Sequence, residues 1–438
     1  ASEFALSPDG KKLAFIAGGD VFVMAAEEGS VPRQITDTPG REMSVNWHPD
    51  SKQLVYTTGH EVPNLQLMLH DLTSGESKRW QGQGEFNTHG QFVGDGARIA
   101  YLRDENSIRI DSVTGNDFRA QSKGDYHGAM LRGGTAADFS PDARWFVQTQ
   151  SNELYNATVV LNRVDESSIG ADIRVSHLFG DSRGPRFSAD GKRIVFANNQ
   201  EGDYDIWVVD LTPEAPEFKE DKLDNLLKKD EPKKDEPKTD EPKAEGDTEP
   251  KAESPRNRPA RKTPETKVQL DGLKDRARRI TSLTGNESNP VALSDGKTYC
   301  FIADVEGQSN VWKLVLDPDK GPDLKQLTQS RSRKSSLVLS SDEKNLWWLD
   351  AGVISSMPVA GGKQSNFGFR LEQRRDRAQL RATAAREAFF VMGRYFYDNK
   401  HHGVDWPAMC KRYEGALNSV RTGDEFDALM DELLGELN

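Results

Sequence analysis

The stretch PRFSADGKRIVFANNQEGDYDIWVVDL, residues 185–211, decides the fold. Arg193–Ala197 is a run of β-formers, residues 199–203 are turn residues, and residues 205–211 alternate as a half-buried strand would. The Asp190-Gly191 pair supplies the positive φ of a tight hairpin turn ahead of the first of these strands. The pattern returns element by element in residues 298–303, the turn 306–309 and residues 310–316. Its opening phrase occurs seven times: FALSPDG (4–10), VNWHPDS (45–51), GQFVGDG (90–96), ADFSPDA (137–143), PRFSADG (185–191), VALSDG (291–296) and LVLSSDE (337–343).

The aspartates of these phrases are Asp9, Asp50, Asp95, Asp142, Asp190, Asp295 and Asp342, spaced by 41 to 48 residues except for one interval of 105. Removing the 63 residues 213–275 brings that interval to 42. A fourth strand closes the unit in RQIT (33–36), RIT (279–281) and KQLT (325–328). Four short strands recurring at a constant period are the mark of a β-propeller, whose blades bury their faces against one another. The expected fold is mostly β, a seven-bladed β-propeller over residues 1–372 followed by a small C-terminal helical domain over 373–438. Paired β-sandwiches also have many short strands, but they require no fixed phrase at a fixed period.

Segment 213–275 departs from this pattern. DEPK recurs every five residues from Asp230, so proline forbids a regular helix and little apolar surface is available to bury. The expectation is a disordered Lys/Glu/Pro-rich insertion on an exposed turn of blade five, either a tolerated excursion or a tether.

After residue 371 the apolar period lengthens from 2 to 3.6. Three helices are expected: 376–397 with Leu380, Ala384, Ala388, Val391 and Tyr395, a second capped by Asp405, and a third opened by a Thr422/Glu425 capping box. This tail, with YFYDN (395–399), HGVDW (402–406), Tyr413 and GEL (435–437), resembles the helical domain of the tricorn protease family, and the repeat phrase resembles TolB-like propellers. Asn399 and His401 depart from that family's usual residues in the intervening loop. The resemblance implies the non-catalytic propeller and helical portion of a tricorn-like serine peptidase (a hydrolase), admitting and filtering peptides for proteolysis. The family's histidine base would follow the Gly-Glu-Leu, and its nucleophile would lie in a later peptidase domain beyond a PDZ domain. The alternative is a TolB-like propeller serving as a protein-protein interaction module.

The residues themselves offer no catalytic constellation. GxSxG, phosphate loops and HExxH are all missing, and the adjacent His401 and His402 lack a third ligand. Cys300 and Cys410 stand too far apart for CxxC chemistry. No cofactor, metal or catalytic residue is assigned. A formal charge of −12 argues against nucleic acid as a partner, and no apolar run is long enough for a membrane span. Peptides or unfolded polypeptide, the PDZ and peptidase domains of a parent chain, and a second copy in a homo-oligomer are the expected partners. The expected compartment is cytoplasmic, or periplasmic or secreted if a parent chain carries a signal peptide. Positions just before each first strand should ring the channel mouth on one face. They are Arg41, His89, Arg183, Arg186, Arg333 and Lys334, with Glu42 the nearest opposing charge and Arg333-Lys334 the foremost pair. Such a ring would focus field on the carboxylate of a peptide.

Overall fold

The computed structural model describes residues 1–59, 65–81, 86–115, 119–123, 137–151, 156–164, 172–213 and 263–437. Residues 1–212 and 264–438 form one compact unit. In it seven four-stranded antiparallel sheets follow one another as simple meanders, each strand pairing with the next in sequence. Blade 1 runs from Glu3–Leu6 to Arg33–Gln34 and blade 7 from Lys334–Leu339 to Ser365–Phe367. The protein is a seven-bladed β-propeller with a helical tail.

The repeated phrase is a turn whose polar groups satisfy one another. In all seven copies the aspartate Oδ1 accepts from the backbone N–H two residues on, at 2.7–3.2 Å. Four of the serines donate to that same carboxylate and accept the N–H that opens the next strand, as Ser188 does from Arg193 at 3.0 Å. The residue after the aspartate has positive φ every time: Gly10, Ser51, Gly96, Ala143, Gly191, Gly296 and Glu343. Two of the non-glycines join neighbouring turns, Ser51 Oγ accepting from Asp9 N–H and Glu343 from Ser294 N–H. The closing threonines act alike: Thr36, Thr281 and Thr328 each accept from the third strand, at Val21, Ile206 and Val311.

The core lies between blades. Each of the seven junctions holds one apolar cluster, including a seventh that joins Phe15 and Phe22 of blade 1 to Trp347, Leu349 and Phe367 of blade 7 and closes the ring. The Ala1 ammonium donates to Gly352 O at the same seam, at 2.6 Å. Strand Asp205–Asp210 is therefore buried at every position, not half-buried as its alternation suggests, because both faces of a blade meet a neighbour.

The expectation of disorder over 213–275 needs a correction at its end. Residues 214–262 lie outside the described residues, but the chain rejoins blade 5 well before 275. Gln269 N–H donates to Leu211 O, Val268 packs on the blade 4–5 core, and Leu273 is inside it. The last strand of blade 7 stops at Phe367, and Phe369 instead stacks on Phe15 with 4.4 Å between ring centres.

Three helices follow: α1 (Arg377–Tyr395), α2 (Trp406–Ala416) and α3 (Gly423–Gly435). Asp405 caps α2 through Ala408 N–H, and the Thr422/Glu425 capping box of α3 is formed in both directions. The helices bury Ala385, Phe389, Trp406, Tyr413, Leu433 and Leu437 together. The inward stripe of α1 is thus Ala385, Phe389 and Met392, not Leu380, Ala384 and Ala388, and Ala384 is exposed. The stripe differs because α1 has two partners, the other helices on one side and the propeller on another.

Candidate functional site

In a meander blade the start of the first strand and the turn between the second and third strands lie at the same end. Arg41, Arg183, Arg186 and Arg333 therefore share one face with the turns around Gly18, Asp104 and Asn199. The inner strands do not run straight into this face. Their pairing with the second strand slips in blade 2 (between Met43 and Asn46), blade 3 (Thr88 and Gln91), blade 5 (Arg183 and Arg186), blade 6 (Ser288 and Val291) and blade 7 (Ser335 and Val338). At each slip one residue takes positive φ: Ser44, His89, Gly184, Asn289 and Ser336.

These bulges aim side chains. Arg183 stands opposite Ala197 and Arg186 opposite Val195, so three steps on one strand match two on the other. Residues three apart on a regular strand point to opposite faces, yet here both arginines line one cleft. Together with Arg333 of blade 7 they line a cleft of about 400 Å³ whose other walls include Tyr204, Asn289 and Glu287. Burial pushes the Glu287 carboxyl up to about 7 against the bonds it accepts from Thr281, Ile206 N–H and Leu283 N–H.

Three of the six expected mouth residues are thus brought together, and three are not. Lys334 is buried, with its Nζ 3.7 Å from Asp350, 2.6 Å from Ser330 Oγ and 3.2 Å from Ser332 O. It occupies the first inner-strand position, where the blade interior begins, so the expected Arg333-Lys334 pair is split between solvent and core. His89 is also buried, beside the Thr88 hydroxyl at 2.9 Å. Arg41 reaches Glu387 of α1 at 2.9 Å. Glu42, the expected opposing charge, is buried with its carboxyl raised to about 7 by desolvation.

The three cations in the cleft differ in their surroundings. Arg183 is held by Asp181 through two bonds, at 2.8 and 3.0 Å, and lies 4.5 Å over the Tyr204 ring. Arg186 stands near Asp138, whose carboxyl burial raises to about 6. Arg333 is exposed and makes no ion pair among the described residues. No cluster of three or more potential metal ligands occurs among the described residues, nor any helix long and apolar enough to cross a membrane.

On the same face, α1 is clamped over blades 1 to 3. Arg375 bonds Thr38 O, Gly18 O and Asp20 at 2.5–2.7 Å, Arg394 bonds Asp104 O and Glu105, and the Tyr395 hydroxyl donates to Glu105. Phe390 packs on Phe86 with ring centres 5.0 Å apart. Helical tail and cationic cleft thus occupy one end of the propeller, over different blades.

The helices also carry the decisive likeness. Residues 384–435 match the family model described as the tricorn protease C1 domain. Over 183 residues, 39% of its length, the chain is 26% identical to tricorn protease homolog 2 of Streptomyces coelicolor. A crystal structure of the tricorn protease matches 99% of the chain, with a TM-score of 0.68 and 13% identity. The tail thus resembles the tricorn C1 domain, and the chain as a whole shares the tricorn protease's fold.

The chain spans 16% of the Streptomyces relative and 40% of the tricorn protease chain. A prolyl endopeptidase structure shares the fold, with a TM-score of 0.52 and 10% identity over 85% of this chain and 50% of that one. The C1 match begins inside α1, so the matched residues that fasten these helices to the propeller include Glu387, Arg394 and Tyr395. Glu105, buried at φ 55°, accepts from two of them. Replacing Glu105 by alanine is expected to weaken docking of the tail by about 1–3 kcal/mol, the cost of unpairing buried polar groups. Limited proteolysis would then cut between Gly368 and Asp376 earlier than in the parent, while the propeller stays intact.

Proposed function

We propose that this chain is the non-catalytic propeller and helical portion of a tricorn-like serine peptidase, and that the propeller admits and filters peptides at the face carrying the C1 unit. The observation that supports this most is the shared face: the helices matched by the tricorn C1 model are clamped over blades 1–3, while the inner-strand bulges of blades 5–7 open beside them. A propeller whose opening adjoins the helical unit can hand an extended chain from one to the other. Serine-peptidase chemistry, peptide binding and association with PDZ and peptidase domains belong to this proposal, as does a cytoplasmic setting.

The histidines of the tail hold structure in this arrangement. His402 Nδ1 lies 2.7 Å from Leu437 O and its Nε2 meets the Tyr397 hydroxyl, while His401 stacks on Trp406. No serine or cysteine side chain is hydrogen-bonded to either histidine among the described residues. The purified chain is therefore expected to bind unstructured peptides without hydrolysing them, measured with fluorogenic peptides and by equilibrium dialysis. Turnover that survives replacement of both His401 and His402 by alanine would place a catalytic site in the propeller and contradict the reading. So would failure to bind any peptide.

A further inference from the structure

Two aromatic rings stand mostly in water among the described residues, Phe179 and Tyr397, each 81% exposed. Tyr397 has a hydroxyl that meets His402, whereas the Phe179 side chain has no polar atom to account for its exposure. Its backbone is nonetheless fixed on both sides. The Phe179 N–H donates to Gln200 Oε1 at 3.0 Å, and its C=O accepts from Asn198 Nδ2 at 3.1 Å. Asp181 N–H donates to Asn199 Oδ1 at 2.6 Å, so the side-chain amides of residues 198, 199 and 200 all hold the loop 179–181. Between these bonds Gly180 has a φ of 79°, and a Cβ there would lie 2.4 Å from Asn199 Oδ1.

The bonds use the main chain of residue 179, so the loop would be satisfied by any side chain there. The phenyl ring is not needed to build it. A rigid ring on a preset main chain, with only two torsions left to order, is a low-cost recognition contact.

Phe179 lies in the connection from blade 4 to the inner strand Ser182–Phe187 of blade 5, which puts it on the face that carries the helical tail. Asn198 pairs with Ser182 across the first two strands of that blade and also donates to its hydroxyl at 3.0 Å. The anchor of the ring is therefore one strand spacing, about 4.8 Å, outward from the inner strand. Asp181 accepts from the Tyr204 hydroxyl at 2.8 Å, and Tyr204 is a wall of the cleft of blades 5–7. Loop and cleft wall are one bonded piece.

An unfolded chain displays the large apolar side chains that a folded domain keeps inside. A single ring on an open face packs on one such side chain without dictating its neighbours, stacking offset or edge-on where that side chain is aromatic. We propose that Phe179 is a specificity contact of this entry, packing on a large apolar side chain of an unfolded polypeptide whose backbone crosses the cleft of blades 5–7. This rests on the reading of the propeller as a peptide entry and adds the class of segment taken, one that carries an apolar side chain rather than a wholly polar one.

The test uses acetylated, amidated decapeptides of glycine and serine with one central phenylalanine, leucine or serine, bound to the whole chain in equilibrium dialysis. Such peptides carry no charge. The phenylalanine peptide is expected to bind about threefold to tenfold more tightly than the all-polar one, with leucine between them, and 0.5 M NaCl should leave the order unchanged. Phe179→Ser should bring the three peptides to within about twofold of one another, while Phe179→Leu should keep part of the preference. Neither change should alter thermal unfolding, because the side chain is exposed. Val31→Ser, at a position 86% exposed between the third and fourth strands of blade 1 and so at the other end of the blades, should leave the preference intact. Equal binding of the phenylalanine and serine peptides, a preference that survives Phe179→Ser, or one lost equally in Val31→Ser would overturn the inference while leaving peptide entry standing. Failure of every peptide to bind would remove both.

Discussion

Asp350→Ala is expected to cost the propeller about 3–5 kcal/mol, because it leaves the Lys334 ammonium buried without a counter-charge. The Lys334 side chain has no exposed surface, and its other ligands, Ser330 Oγ and Ser332 O, carry no charge. Burial already lowers the Lys334 pKa, and removing Asp350 removes what opposes that shift. With the folded-state pKa depressed, the folded chain holds fewer protons than the unfolded one, so the variant should regain stability as pH rises toward the ordinary lysine value. Lys334→Met in the same chain should restore most of the loss at neutral pH, since an apolar side chain has no charge to strand. Urea unfolding of parent, single and double variants measures this. Equal losses in the single and double variants would show that Lys334 does not depend on Asp350.

The second large effect concerns Glu42, buried where blade 2 begins, beneath the turn that Arg375 holds. It receives a 2.8 Å bond from the Thr38 hydroxyl on one oxygen. Desolvation raises its pKa to about 7, with Asp20 adding to the rise and Thr38, Thr58 and Arg375 opposing it. Between the ordinary 4.5 and 7 the folded chain keeps a proton that the unfolded chain has lost, so this group's contribution falls as pH rises through that window. The loss is about 3 kcal/mol over the whole window. Glu42→Gln should flatten the profile, matching the parent near pH 4 and exceeding its stability near pH 8. A variant less stable than the parent at pH 8 would show that the carboxylate is held charged. The tail senses the same site, because Arg375 and Gln373 both reach Asp20.

Much of the fold could be read from seven short phrases, and the reason is chemical. Serine, aspartate and the residue after them form a self-contained turn, so the phrase keeps its meaning wherever it recurs, even where Ser51, Ala143 or Glu343 replaces glycine at positive φ. The closing threonines were equally legible. The depth of burial was less so, because an alternating strand such as Asp205–Asp210 cannot reveal that polar residues also face a neighbouring blade. The inner-strand bulges left no mark in a period-2 reading. They decide that Arg183 and Arg186 share a side, and the one-residue step into the blade decides that Arg333 is in water while Lys334 is in the core. The stripe of α1 was misread for a related reason: Phe390, Arg394 and Tyr395 serve the propeller while Ala385 and Phe389 serve the helices, so two periodic faces overlap in one sequence.

The central claim is that peptides enter at the bulged inner strands of blades 5–7, on the face that carries the tricorn C1 unit. A free-acid peptide bearing a photoreactive benzophenone, cross-linked to the whole chain and mapped by mass spectrometry, tests it directly. The account predicts labels within Arg183–Phe187, Ser288–Val291 and Arg333–Val338, suppressed by excess unlabelled peptide. Labels confined to outer strands such as Ser77–Arg79, or to the Asp9 and Asp142 turns at the far end, would contradict it.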